Sequence, residues 1–202
     1  MISIYDLKPK FQNLLRPFVS KLNSLGITAN QVTLLTFLMC LFYGMLLSIF
    51  IQYRFILVLF PVVLFLRMAF NAVDGMLAKE FHQKSPQGAL LNELTDILAD
   101  AALYLPFAFH PGLQPIVIIL CVILAITTET AGLACLLIGA SRRYDGPMGK
   151  SDRAFIFSVI ALWLAFYHAN FWLNLLIVVV LILLGMTVLN RCYQALKQVE
   201  AI

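Results

Sequence analysis

The sequence predicts an all-α integral membrane protein, with six transmembrane helices in one bundle and an N-terminal amphipathic interfacial helix ahead of them. Three observations carry this expectation. Apolar residues make up 62% of the 202 and charged residues 12%, with a mean hydropathy of +0.93; a soluble domain has about half and about a quarter. The apolar residues gather into runs near the roughly 20 residues needed to cross a hydrocarbon core. The basic residues fall almost entirely on one side of those runs.

Residues 3–24 place Ile4, Leu7, Phe11, Leu14, Leu15, Phe18 and Leu22 at helical spacing, with lysines and an arginine opposite them. That pattern suits a helix lying in the headgroup layer. Spans follow at about 33–51, 55–74, 89–109, 114–139, 154–169 and 171–190, with a turn at Tyr167-His168-Ala169-Asn170 between the last two. Lys8, Lys10, Arg16 and Lys21 precede the first span, and Lys79 and Lys84 follow the second. Arg142, Arg143, Lys150 and Arg153 follow the fourth, and Arg191 and Lys197 follow the sixth. Twelve of the 14 basic residues thus share one side, which the positive-inside rule makes cytoplasmic together with both termini. Arg54 is in an opposite loop and Arg67 inside the second span.

No Pro-, Ser- or Gly-rich linker interrupts the chain, so residues 1–202 read as one domain. Residues 1–30 form the interfacial helix and lead-in, and 31–202 the six-helix bundle. Cys40, Cys121, Cys135 and Cys192 lie far apart in or beside apolar runs. They read as small hydrophobes rather than metal ligands or a disulfide. The charged N-terminus does not resemble a signal peptide, and no nucleic-acid partner is expected.

Five of the ten acidic residues, Asp74, Glu93, Asp96, Asp100 and Glu129, fall within or at the edges of spans. One such group costs on the order of 3 kcal/mol to place in a bilayer, so these must face each other, a cation or water. Arg67, Asn71 and Asp74 sit on one helical stripe, and Asn92, Asp96 and Asp100 on another. Facing stripes of this kind make an oxygen-rich pocket near the cytoplasmic surface. Carboxylate and amide oxygens suit hard cations such as Mg²⁺ or Mn²⁺, which in turn suit diphosphates. A buried ion network joining Arg67 to Asp100 and Glu129 is the structural alternative. Asp100 or Glu129 could instead reach the metal or tune Asp96.

The stretch Asn71-Ala-Val-Asp74-Gly75-Met-Leu-Ala78-Lys79 is followed, after eight residues, by Gly88-Ala-Leu-Leu-Asn92-Glu-Leu-Thr-Asp96. It resembles the signature of the CDP-alcohol phosphotransferases (CDP-alcohol phosphatidyltransferases), DxxDGxxAR, eight residues, then GxxxDxxxD. Both glycines, the alanine and two of the four acids are in register. Gly26-Ile-Thr-Ala-Asn30-Gln-Val-Thr33 looks like that family's approach to its first span. The signature is degenerate: Asn71 and Asn92 replace the first and third acids, and Lys79 replaces the arginine.

The resemblance implies transfer of a substituted phosphate, such as phosphatidyl, from a CDP-linked lipid or alcohol to an acceptor alcohol, with release of CMP. It implies a place in phospholipid synthesis, at the cytoplasmic side of a bacterial inner membrane, in a homodimer. Asp96 is the implied general base. Asp74 and Asp96, with amide oxygens from Asn71 and Asn92, are the implied metal ligands, and Asp100 is a further candidate. Two lost carboxylates suggest one firmly held ion or a weaker pair. Asp74, Gly75, Ala78, Lys79 and Gly88 are the implied CDP-binding residues, the glycines permitting close approach.

On the acceptor side, Gly149-Lys150-Ser151-Asp152-Arg153 opens the fifth span, where helical N–H groups favour an anion. Lys150 and Arg153, with Arg142 nearby, are candidates for a phosphate of the acceptor or lipid. Gly-Lys-Ser here is no P-loop, because the upstream glycine and strand are missing. Two other functions remain open at this point. One is a family member that binds nucleotide-lipid without turnover, motivated by the two asparagines. The other is a small cation or proton transporter, which explains the acids but not the spacing of Gly75, Ala78 and Gly88.

Overall fold

The computed structural model describes residues 4–200, with side chains described from residue 11. Seven α-helices run through them: α1 Ile4–Ser24, α2 Ala29–Phe50, α3 Arg54–Glu80, α4 Pro86–Tyr104, α5 Pro115–Ala134, α6 Lys150–Phe166 and α7 Phe171–Glu200. Single 3₁₀ turns, Leu105–Phe109 and Cys135–Ile138, extend α4 and α5. No strand occurs among the described residues.

Four helical segments are long and apolar enough to cross a membrane: α2, α3, α5 with its 3₁₀ extension, and α7. α4 falls short because it carries Glu93, Asp96 and Asp100, and α6 has 17 residues with Lys150, Asp152 and Arg153 in its first turn. The expected turn between the last two spans is present, α6 ending at Phe166 and α7 starting at Phe171. α3 runs past the expected end at residue 74 to Glu80, so Gly75, Ala78 and Lys79 all lie on the helix.

The chain divides into two compact units, Met1–Leu41 with Val63–Ala99, and Phe42–Val62 with Asp100–Ile202. In the first, Val19, Ala29, Val32, Val73, Met76 and Leu77 form the core, with Leu15 and Leu22 packed against it. α1 therefore docks through Leu15, Val19 and Leu22, one stripe at i, i+4 and i+7. Leu14 and Phe18, expected on the same face, are exposed, so α1 has two apolar stripes rather than one. Ile4, Leu7, Lys8 and Lys10 lie outside the residues whose side chains are described. Arg16 bonds both oxygens of Glu80, at 3.0 and 3.2 Å, which ties α1 to the end of α3. Gly26, at φ +76°, closes α1 in a left-handed turn that glycine adopts without strain. Thr28 and Gln31 then start α2 as a reciprocal capping box: Gln31 N–H donates to Thr28 Oγ1, and Thr28 N–H to Gln31 Oε1.

In the second unit an aromatic cluster fills the interior. Tyr104 stacks on Phe157 at 4.2 Å between centroids, and Phe107 meets Phe60 edge-on at 5.1 Å. α2 approaches α4 so closely at Gly44 that a Cβ there would strike the Ala102 carbonyl. Beside the aromatics lies a buried ion network. Arg153 Nη2 is 2.9 Å from both Asp100 Oδ2 and Glu129 Oε1, and Nη1 donates to Thr128 Oγ1. Arg191 Nη1 lies 3.6 Å from Glu129 and donates to the Thr128 carbonyl. Two guanidiniums thus balance two carboxylates across α4, α5, α6 and α7.

The network expected around Asp100 and Glu129 exists, and it includes Arg153 and Arg191, which the sequence reading left out of it. Replacing Arg153 with Met leaves Asp100 and Glu129 without their main counter-ion and should lower stability by about 3–5 kcal/mol. The measurement is the unfolding midpoint in detergent, and adding Asp100→Asn to that variant should recover part of the loss.

Candidate functional site

The signature residues of α3 and α4 line one cavity of about 390 Å³ in the first unit. Asn71, Asp74, Gly75, Ala78 and Lys79 come from α3, and Gly88, Asn92 and Asp96 from α4. Every residue assigned to the CDP site, and every assigned metal ligand except Asp100, is therefore brought together. Asp100, Arg142, Lys150 and Arg153 are not among the lining residues. Among the described residues no three His, Cys, Asp or Glu side chains converge, as two asparagines in the signature require.

Local sequence explains why α3 and α4 present these faces. Ser85 caps α4: its Oγ accepts the Gly88 N–H at 3.0 Å, and Pro86 supplies the first helical residue. Gln83, in the connection, accepts the Ala29 N–H at 2.7 Å and donates to Asn23 Oδ1 at 3.0 Å. This fastens the α3–α4 connection to the start of α2. The two signature glycines do different work. A Cβ on Gly88 would lie 2.6 Å from Asn30 Oδ1, so this glycine lets α4 approach α2. A Cβ on Gly75 would meet nothing within 4 Å, so its bare backbone faces open cavity.

The two carboxylates are held by different donors. Thr33 Oγ1 lies 2.7 Å from Asp74 Oδ2 and 3.0 Å from the Ala29 carbonyl, and its single proton serves one of them at a time. Asp74 is itself buried. Asp96 Oδ1 accepts from Asn71 Nδ2 at 2.9 Å and from Arg67 Nη2 at 3.3 Å, and the same Nη2 reaches the Asp96 carbonyl at 2.9 Å. Arg67 is almost wholly buried, while a quarter of the Asp96 side chain remains accessible. Asp96 is thus oriented from one side and approachable from the other. Lys79 and Lys84 add two exposed cations to the cavity lining.

Sequence reasoning missed three of these residues as site components: Thr33, Arg67 and Lys84. The signal for Arg67 was present, since it shares a stripe with Asn71 and Asp74, but its contact with Asp96 was not anticipated. Arg153 was expected on an acceptor phosphate; instead it is fully buried against Asp100 and Glu129. At the start of α6 the Gly149 N–H donates to Asp152 Oδ2, so the chain's own carboxylate occupies one of the N–H groups assigned to an anion. Lys150 is half-buried there, and Arg142 stacks on Tyr144 with Cζ 4.8 Å from the ring centroid.

Two carboxylates, two side-chain amides from the signature and two lysines thus share one cavity on α3, α4 and their connection. The CDP-alcohol phosphatidyltransferase model matches residues 26–189, and the chain belongs to that family. Its reaction is the transfer of a substituted phosphate from a CDP-alcohol to an acceptor alcohol, with CMP released, in phospholipid synthesis. The chain is 44% identical over 196 residues to the inner membrane protein YnbA of Escherichia coli K12, covering 96% of this chain and 97% of that protein. It is 26% identical over 197 residues to the archaetidylinositol phosphate synthase of Pyrococcus horikoshii, with coverage of 96% and 97%.

The fold is similar to that of Mycobacterium tuberculosis phosphatidylinositol phosphate synthase. Its crystal structure with CDP-DAG bound gives a TM-score of 0.71 at 20% identity over 91% of this chain and 92% of the other. The complex with manganese and citrate gives 0.74 at 19% identity over 89% and 87%.

Two outcomes follow from the site geometry. Gly88→Ala should lower the melting temperature because Asn30 must move, whereas Gly75→Ala should leave it unchanged or raise it, alanine being about 1 kcal/mol better in a helix. Thermal melts of the two variants check this. Arg67→Gln should lower kcat for CMP release by about 10- to 100-fold, the usual cost of losing a group that orients a reacting side chain, with a smaller change in KM. Steady-state kinetics separate the two parameters.

Proposed function

We propose that the cavity receives the CDP end of a CDP-diacylglycerol-like donor, and that Asp96 is the general base for the acceptor alcohol. The observation that carries this reading is the placement of Asp96. Arg67 and Asn71 fix its carboxylate in the wall of a cavity that also presents Asp74, Gly75 and Lys79. The CDP-DAG bound to the mycobacterial enzyme supports the choice of donor.

The donor set fits a divalent cation, Mg²⁺ or Mn²⁺. Asp74, Asp96 and the amide oxygens of Asn71 and Asn92 are hard oxygen ligands on one cavity wall. Manganese in the mycobacterial structure supports the same choice. When bound, such an ion offsets charge on the diphosphate and on departing CMP. The protein's own groups do the rest. Lys79 and Lys84 draw the phosphates in as point charges, though without the bidentate fork of arginine. Open space at Gly75 lets the nucleotide lie against the α3 backbone. Asp96 takes the proton of the acceptor hydroxyl. The hydroxyl oxygen then bonds to the β-phosphorus as the bond from that phosphorus to CMP breaks.

In this reading α4 and α6 cross the membrane along with the four longer helical segments, giving six spans, and α1 lies at the surface with Leu14 and Phe18 in lipid. Both termini face the cytoplasm of a bacterium, in its inner membrane, as the name of the Escherichia coli relative supports. The protein acts as a homodimer, and each chain is a single domain, since α2, α3 and α4 each run through both compact units. Lys150, with Arg142, remains the group assigned to an acceptor phosphate; Arg153 does not.

The test is CMP release by purified protein given CDP-diacylglycerol, a panel of acceptor alcohols and either Mg²⁺ or Mn²⁺. Asp96→Asn should lower the rate at least about 100-fold, the low end of general-base contributions, and EDTA should abolish it reversibly. Release that survives Asp96→Asn would remove Asp96 as the base.

A further inference from the structure

A second polar cavity, of about 490 Å³, lies where the α2–α3, 3₁₀–α5 and α6–α7 turns of the second unit gather. Gln52, Arg54, His110, Tyr167 and His168 are its polar and titratable side chains, and no carboxylate lines it. Its volume falls within the usual range for a ligand pocket.

Arg54 is placed unusually for a basic residue of this chain. It sits in the loop opposite to the twelve others, at the first position of α3. Its guanidinium lies over the Phe166 ring, Cζ 4.2 Å from the centroid. Among the described residues no carboxylate pairs with it, whereas Arg16, Arg67, Arg143, Arg153 and Arg191 all have one within 4 Å. Stacking on a ring fixes the guanidinium plane and leaves its N–H edges for an anion. His110 contributes a second donor. The Gly112 N–H donates to its Nδ1 at 3.2 Å, and burial lowers its pKa, so the neutral ring carries its proton on Nε2.

Arg54 also ends an apolar groove. Phe55, Val58, Leu59 and Val62 line it, at i, i+3, i+4 and i+7 on α3, and all four are exposed. The stripe runs for about 10 Å from the cation along the helix. An anion-seeking cavity joined at one arginine to an apolar stripe has the polarity of a phospholipid.

We propose that this end of the second unit binds an anionic phospholipid, its phosphate at Arg54 and an acyl chain along Phe55, Val58, Leu59 and Val62. The site shares no residue with the cavity of the signature and stands independently of the reaction assigned there.

Native mass spectrometry of detergent-purified protein tests this, with equal amounts of dioleoyl phosphatidylglycerol and dioleoyl phosphatidylcholine offered. The wild type should retain the anionic lipid with a preference of about fivefold, the effect of one basic side chain near a membrane surface. Arg54→Gln should abolish that preference while its CMP release and melting temperature stay at wild-type values, and Arg54→Lys should keep most of it. Should Arg54→Gln not survive purification, Leu59→Gln, on the apolar half, should show a weaker retention of the same lipid. No preference in the wild type, or one that survives Arg54→Gln, overturns the proposal. Displacement of the lipid by inorganic phosphate at equal concentration overturns it as well, because the site would then recognise a small anion alone.

Discussion

A carboxylate carried into an apolar helix needs a donor within reach, and that constraint arranges both halves of this protein. Asp74 is met by Thr33, and Asp96 by Arg67 and Asn71. Asp100 and Glu129 are met by Arg153, with Arg191 beside Glu129. Each contact joins different helices, so charge compensation also sets which helical faces pack together. The ionic contacts of Asp96 and Asp100 fix which faces of α4 pack against its neighbours.

The two groups of carboxylates differ in how deeply they are sealed, and that distinguishes the candidate site from the buried network. Around Arg153 the charges cancel, and the guanidinium and Asp100 are sealed from solvent. Part of the Asp96 carboxylate stays accessible. A transferase of this family needs an oxygen that can meet a hydroxyl proton, and an accessible carboxylate suits that need. The Asp100 network in turn adds rigidity to the helices that carry the aromatic core of the second unit.

Much of this was legible in the sequence because the informative spacings are local. The signature lies on two consecutive helices, so the stripes and the family resemblance together put Asn71, Asp74, Gly75, Gly88, Asn92 and Asp96 at one site, and they line one cavity. The capped starts of α2 and α4 are just as local, yet Thr28, Gln31 and Ser85 were passed over and the spans were begun at about 33 and 89. What failed was partner choice between helices. Asp96 and Asp100 are one turn apart, about 5.4 Å, which is within the sweep of an arginine side chain, so stripe arithmetic alone could not show that Arg67 meets Asp96. Arg153, at the mouth of a helix after a basic loop, read as a phosphate ligand; only the fold shows that it turns inward. α1 misled for a related reason. Val19 was overlooked beside larger residues, and it is Val19 that centres the docked stripe and leaves Leu14 and Phe18 outside.

The bond from Asn71 to Asp96 bears on how the protein behaves before it meets any ion. Four carboxylates crowded between two helices repel one another, and such a cluster is a liability during membrane insertion unless cations arrive early. An amide can give a proton where a carboxylate can only repel, so here the position that would oppose Asp96 instead holds it. At this pair of positions α3 and α4 are therefore joined by a hydrogen bond that needs no ion between them.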